Sequence, residues 1–184
     1  CMLLPSTYGE SLMLPMADGT KLATDYYVPE GVGPFPVIFS RTPYSITNMK
    51  GFADNFKQQG YAVVMQDTRG MHNSEGIYMA FEHDGWGKNK DGLETLRWIH
   101  QQKWCNGKVG TWGGSALGIT QVMLAGAGDP ITCQFILVAS SNSYGQLGYQ
   151  GGVLRKALVE GWLTMQKAPQ TIEAMKAHPT YDEY

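Results

Sequence analysis

The sequence predicts an α/β fold built on a mostly parallel sheet that an antiparallel hairpin opens. Three observations carry the prediction. Apolar strand-like runs alternate with segments of helical periodicity, an Asp-Gly pair joins two strand-like stretches near the start, and 23 glycines and 9 prolines punctuate the runs without an internal repeat or low-complexity tract. With 184 residues, 43% of them hydrophobic and 16% charged, the chain is long enough for one domain with a substantial core.

Each element follows from its local pattern. Leu12 to Met16 and Lys21 to Val28 flank Ala17-Asp18-Gly19-Thr20, where Asp-Gly supplies the positive φ of a tight turn, so they read as a hairpin. Phe35 to Ser40 and Tyr61 to Gln66 are continuous β-branched-rich runs, the pattern of strands buried on both faces of a parallel sheet. Between them Asn48 to Gln59 carries Met49, Phe52 and Phe56 on one helical face, completing a βαβ unit. The rhythm continues with a helix at 91–102, a strand at 108–112, a helix at 116–125 and a strand at 134–139. After Ser140 the residues turn polar and Gly-rich, and then helix-prone over 153–165 and 171–177, with no further strand signal.

Composition excludes several classes of function. Fourteen Lys and Arg against sixteen Asp and Glu give a net charge of −2, with no basic run to bind a nucleic acid. The apolar stretches are interrupted well short of the roughly 20 residues of a membrane-spanning helix. Cys1, Cys105 and Cys133 are too scattered for a disulfide framework or a metal knuckle, and no His-x-x-x-His spacing occurs, so neither a metal nor another cofactor is expected. The first residues lack the basic segment and apolar core of a signal peptide. Cys1 fits a lipidated N-terminus and equally the end of a fragment, which leaves a cytoplasmic and a bacterial cell-envelope location both open.

The sharpest local feature is Val109-Gly110-Thr111-Trp112-Gly113-Gly114-Ser115-Ala116-Leu117-Gly118. A strand runs into a tight turn with Ser115 at its apex and a helix follows at once, the context of a nucleophile elbow. Glycines at 113, 114 and 118 suit a turn that brings strand and helix backbones into contact. Ser115 would then stand at a helix N-terminus, where free N–H groups favour a developing oxyanion. Taken alone, such a motif also fits a serine that merely caps a helix. A phosphate loop fits less well, because the stretch spells neither G-x-G-x-x-G nor the Lys-Ser/Thr ending of a P-loop.

The flanks decide between these readings. Pro15-Met16-Ala17-Asp18-Gly19 with Leu22-Ala23-Thr24-Asp25, Phe35-Pro36-Val37 leading to Arg41-Thr42-Pro43-Tyr44, Gln66-Asp67-Thr68-Arg69-Gly70 with Ser74-Glu75-Gly76, Asp91-Gly92 with Trp98 and Trp104, and Gly107 through Ser115 to Gly118 follow one another over about the first 140 residues. In that order they resemble the N-terminal part of the cocaine esterase and X-Pro dipeptidyl-peptidase family of α/β-hydrolases, which also holds α-amino-acid ester hydrolases and glutaryl-cephalosporin acylases. The resemblance implies an α/β-hydrolase core over residues 1–140 and the beginning of a helical cap over 141–184. It makes Ser115 the nucleophile and Tyr44 the hydroxyl that completes an oxyanion hole with the Ala116 N–H. Without it, Tyr44 would read as a tyrosine packing at a strand end. A phenol stays protonated at neutral pH and so can donate to an oxyanion.

Asp67 and Arg69 read as a structural pair that fixes a loop beside Gly70. Two departures from the family pattern stand out: Ala116 where a Tyr is usual after the nucleophile, and His72 where a Gly is common, which could place an imidazole near the site mouth. A serine hydrolase also needs a histidine base with an acid to orient it. Asp129 and His178 follow Ser115 in the usual order, but His178-Pro179-Thr180-Tyr181-Asp182 resembles a cap segment, and the family's acid and base come further downstream. The expectation is an acyl-enzyme hydrolase acting on a small ester or short peptide, whose base and acid the remainder of the same polypeptide supplies. A non-catalytic α/β fragment or binding module is the alternative.

Overall fold

The computed structural model describes residues 9–177. One six-stranded sheet organises them, made of β1 (Glu10–Pro15), β2 (Lys21–Tyr27), β3 (Phe35–Thr42), β4 (Ala62–Asp67), β5 (Cys105–Gly114) and β6 (Cys133–Leu137) in the spatial order β1-β2-β4-β3-β5-β6. Strands β4, β3, β5 and β6 run parallel, while β2 is antiparallel to both β1 and β4, so the hairpin extends a parallel sheet at one edge. Helices α1 (Lys50–Gln58), α2 (Asp91–His100) and α3 (Ala116–Ala125) are the crossover elements. Helix α1 starts after a single 3₁₀ turn at Ile46–Met49, slightly later than the apolar spacing suggests.

Alternation along the central strands explains their continuous apolar composition. In β4, Val63 and Met65 pack with Ile46, Met49 and Ala53 beside α1, while Ala62 and Val64 pack with Leu93, Leu96 and Ile99 of α2. Both faces are covered, and every residue of β4 is buried. Leu96 and Ile99 are completely buried. Truncating such a side chain to Ala costs about 2–5 kcal/mol.

The connection across 68–90 contains neither helix nor strand, and buried ion pairs hold it down. Arg69 places a two-pronged bond on Asp91 at the start of α2 (2.9 and 2.6 Å) and reaches Asp18 and Thr20 in the β1–β2 turn, both at 2.7 Å. Arg41, at the end of β3, binds the Asp84 carboxylate, the His83 carbonyl at 3.1 Å and Gln66 at 2.9 Å. Gln66 in turn donates to Thr24 (3.0 Å) and Thr95 (2.8 Å), tying β2, β4 and α2 together. Partnered charges are what make this much buried polarity tolerable.

Asp67 and Arg69 do hold loops, but not as the pair the sequence suggests. Arg69 turns to Asp18 and Asp91, whereas Asp67 accepts the Ile46 N–H at 2.8 Å and so anchors the turn after β3. Two adjacent fixed points serve two different loops.

Beyond β6 the segment holds a π-type turn (Ser143–Gly148), a small hairpin of β7 (Tyr149–Gln150) and β8 (Val153–Leu154), and helices α4 (Lys156–Met165) and α5 (Pro169–Ala177). The hairpin corrects the expectation of helix from residue 153. Gly151 and Gly152 both have positive φ (58° and 82°), as a type I′ turn requires, and that Gly-Gly pair was the available signal. Leu163 and Ala168 of this helical segment pack on Met71 and Tyr78 of the 68–90 connection. No helix among the described residues is long and apolar enough to cross a membrane.

Candidate active site

Ser115 occupies the single turn residue between β5 and α3 with φ 56° and ψ −125°, a backbone region costly for any residue with a Cβ. The surrounding contacts impose that conformation. Ser115 N–H donates to the Leu137 carbonyl of β6 at 2.9 Å, and its own carbonyl accepts from Gly118 and Ile119 at 2.9 and 3.0 Å. Glycine is required on both sides: a Cβ on Gly113 (φ 146°) would lie 2.4 Å from Leu117 Cβ, and one on Gly118 would lie 2.6 Å from Ala139 Cβ.

The Ser115 side chain makes no capping bond to α3, so the geometry does not fit a plain helix-capping serine. The residue is exposed. Behind it the first N–H groups of α3, that of Ala116 foremost, have no carbonyl within the helix to bond and carry the positive end of its dipole.

Tyr44 approaches from the turn after β3. Its N–H bonds Thr42 Oγ1 at 2.9 Å, its carbonyl accepts from Asn48 at 2.9 Å, and Asp67 secures the turn two residues on. Its hydroxyl lies 3.4 Å from Ser115 Oγ, long for an O–H···O bond, so the phenol proton remains available to a charge forming beside the serine. The Trp162 indole N–H of α4 donates to the same hydroxyl oxygen at 3.3 Å.

Ser115 and Ala116 open onto a cavity of about 430 Å³ whose other walls include Phe81, Val138, Tyr144 and Trp162. None of the described residues lining it is charged. Phe81 stacks on Trp162 with ring centroids 5.5 Å apart and planes 16° apart. Phe81 and Trp162 were not legible as site residues, because one lies in an irregular loop with φ 63° and the other more than 40 positions beyond Ser115.

None of the three described histidines bonds Ser115, though His72 stands beside Tyr44. His72, at φ 49°, is exposed and bonds the Pro43 carbonyl through Nε2 at 2.9 Å, and His100 bonds the Pro130 carbonyl at 3.3 Å. His83 sits against the Arg41–Asp84 pair, where burial lowers its pKa and its Nδ1 has no partner. Asp129 is engaged by Arg97 Nε at 2.6 Å. His178, like Cys1, lies outside the described residues. Among the described residues no histidine bonds Ser115, and no cluster of three or more His, Cys, Asp or Glu could hold a metal ion.

Comparison with known proteins joins this geometry to a family. The family model for the X-Pro dipeptidyl-peptidase (S15 family) matches residues 18–183. Cocaine esterase from Rhodococcus sp. (strain MB1 Bresler) is 38% identical over 160 residues, covering 83% of this chain and 27% of that protein. A selenomethionine-labelled α-amino acid ester hydrolase superposes with a TM-score of 0.68 at 25% identity, covering 90% of this chain and 31% of that one. A CocE/NonD family hydrolase from Staphylococcus aureus, at 22% identity and TM-score 0.74, shares the fold over 93% of this chain and 36% of its own. The chain therefore spans about a third or less of the length of these relatives.

Proposed function

The chain belongs to the X-Pro dipeptidyl-peptidase (S15) family of hydrolases, and from that premise we propose that it forms the nucleophile-bearing part of a serine hydrolase. The observation that carries the reading is the strained Ser115 turn with the Tyr44 hydroxyl 3.4 Å from Ser115 Oγ at the mouth of an uncharged cavity. Ser115 Oγ attacks the carbonyl carbon of an ester or amide while a general base takes its proton. The carbonyl oxygen becomes an oxyanion that accepts from the Tyr44 O–H and the Ala116 N–H. Collapse breaks the C–O or C–N bond, the proton passes to the departing alcohol or amine, and water then releases the acyl group from Ser115.

The cavity's apolar wall suits an uncharged acyl group, because a buried charge would find no partner there. General base and acid come from outside residues 9–177 in this reading, with residues 1–140 contributing to the core and 141–184 beginning the cap. Phe135, Ile136 and Leu137 of β6 support it: they are 56%, 37% and 44% exposed on a strand that among the described residues pairs only with β5, a surface suited to the rest of the same polypeptide. Substrate choice between a small-molecule ester and a short peptide follows from those further parts.

Fluorophosphonate labelling with peptide mapping tests the nucleophile. The expected adduct lies on Ser115 and disappears in Ser115→Ala; an adduct on another serine, or none in a polypeptide that hydrolyses esters, overturns the assignment. For the 184-residue chain, ester hydrolysis no faster than that of Ser115→Ala is expected, since losing triad members costs on the order of 10⁶ in rate. Ser115-dependent turnover that vanishes in His178→Ala would instead place the base at His178.

A further inference from the structure

Among the described residues the Tyr44 hydroxyl has two hydrogen-bonding neighbours, Ser115 Oγ at 3.4 Å and Trp162 Nε1 at 3.3 Å. The two contacts differ in kind. A serine hydroxyl both donates and accepts, but an indole N–H only donates. Toward Trp162 the phenol oxygen can therefore act solely as acceptor, and its own proton is excluded from that direction. We propose that Trp162 is a positioning residue for the oxyanion hole: its indole N–H reserves the Tyr44 proton for the oxyanion and couples that donor to the wall of the acyl cavity. The proposal rests on the reading of Tyr44 as an oxyanion donor.

A free phenol would spread its proton over alternative directions, and each reaction would have to reorient it. With the indole in place the donor is already set, which is where electrostatic catalysis gains most. Donation into the phenol oxygen also polarises its O–H bond and strengthens it as a donor.

Trp162 is itself held from two sides. On α4 it packs against the cluster of Leu163, Ala168, Met71 and Tyr78, and its ring stacks on Phe81 of the 68–90 connection. Three residues beyond Phe81 is Asp84, whose carboxylate the buried Arg41 clamps to the end of β3. Tyr44 lies three positions after Arg41, so donor and indole are referenced to the same strand end. Phe81 and Trp162 both face the 430 Å³ cavity. An acyl group seated there presses on the indole that orients the oxyanion donor, so its fit registers in the chemical step as well as in binding.

Trp162→Phe keeps an aromatic wall and removes only the N–H, which makes it the informative change. The first measurement is the indole ¹⁵N–¹H resonance of Trp162 in the 184-residue chain, identified by its loss in Trp162→Phe and then followed in Tyr44→Phe. Loss of the acceptor should shift that resonance and speed its hydrogen exchange; an unmoved resonance overturns the proposal without requiring any activity. The second, in the longer polypeptide that supplies the general base, is the rate of fluorophosphonate modification of Ser115, whose transition state also develops charge on an oxygen, across the double-mutant cycle of Trp162→Phe and Tyr44→Phe. A loss of about 3- to 10-fold is expected for Trp162→Phe in the parent, the size of one neutral hydrogen bond, and none in the Tyr44→Phe background. Equal losses in both backgrounds make Trp162 a wall residue only and overturn this proposal alone. A Tyr44→Phe variant modified as fast as the parent overturns the oxyanion assignment on which it rests.

Discussion

Replacing Ser115 by glycine should make the chain more stable even as it removes the nucleophile. Serine here holds φ 56° and ψ −125°, fixed from outside by the Leu137 carbonyl and by the first turn of α3. A non-glycine residue in such a region carries about 1–3 kcal/mol of strain. Glycine adopts it without a Cβ clash, but its greater freedom in the unfolded chain returns about 0.5–1 kcal/mol. Little is lost with the side chain, which is exposed and whose one polar neighbour is 3.4 Å away. The net gain is about 0.5–2 kcal/mol, or roughly 1–8 °C in Tm for a chain of this length. Ser115→Ala is the control, because it removes the same hydroxyl and keeps the Cβ and its strain. Thermal unfolding of the three proteins by calorimetry decides the matter. A Ser115→Gly protein that melts at or below Ser115→Ala would show that the turn stores no strain and that Ser115 needs no special backbone.

Asp91→Ala should cost about 2–3 kcal/mol in denaturant unfolding, somewhat less than a fully stranded buried charge, since it leaves the Arg69 guanidinium only Asp18 and Thr20 and removes the carboxylate 3.8 Å from Arg41; a loss below about 1 kcal/mol would mean that the arginines find other partners. Gly113→Ala should destabilise by about 1–3 kcal/mol and slow Ser115 labelling, because its Cβ would meet Leu117 Cβ at 2.4 Å, and wild-type values in both assays would contradict the close approach. Hydrogen bonding from Arg69 holds the Asp18 carboxyl at about 2, below its ordinary 3.8, so its contribution is complete above pH 3.8 and drains away as pH falls toward 2. Asp18 is partly exposed, which limits that contribution to about 1 kcal/mol or less. The stability difference between parent and Asp18→Asn should accordingly shrink between pH 4 and pH 2, and a difference constant over that range would refute the ion pair's part in it.

Much of the architecture was legible because its causes are local. Continuous apolar runs specify strands covered on both faces, Asp18-Gly19 supplies its own turn, and Gly113 is demanded by Leu117 within the same turn, whereas the contacts that crowd a Cβ at Gly114 and Gly118 come from Leu137 and Ala139 at the end of β6. Spacing singled out Ser115 without separating a nucleophile from a capping serine, and the resemblance made Ser115, Tyr44 and Ala116 candidates for the site. Tertiary structure alone decided the partners of Asp67 and Arg69, because the Ile46 N–H that donates to Asp67 and the Asp18 and Asp91 carboxylates that accept from Arg69 are brought near by sheet order and not by adjacency. The β7–β8 hairpin has little signature in the sequence beyond Gly151-Gly152, since two-residue strands leave almost no periodicity to read. The same holds for the cavity. Its walls Phe81 and Trp162 come from a connection and a helix far apart in sequence, and only the packing of α4 over the 68–90 connection places the Trp162 indole N–H against the Tyr44 phenol oxygen 118 positions away. Local sequence specifies backbone geometry because its interactions are short in range, whereas a pocket wall depends on contacts among residues whose separation along the chain carries no information about their distance in space.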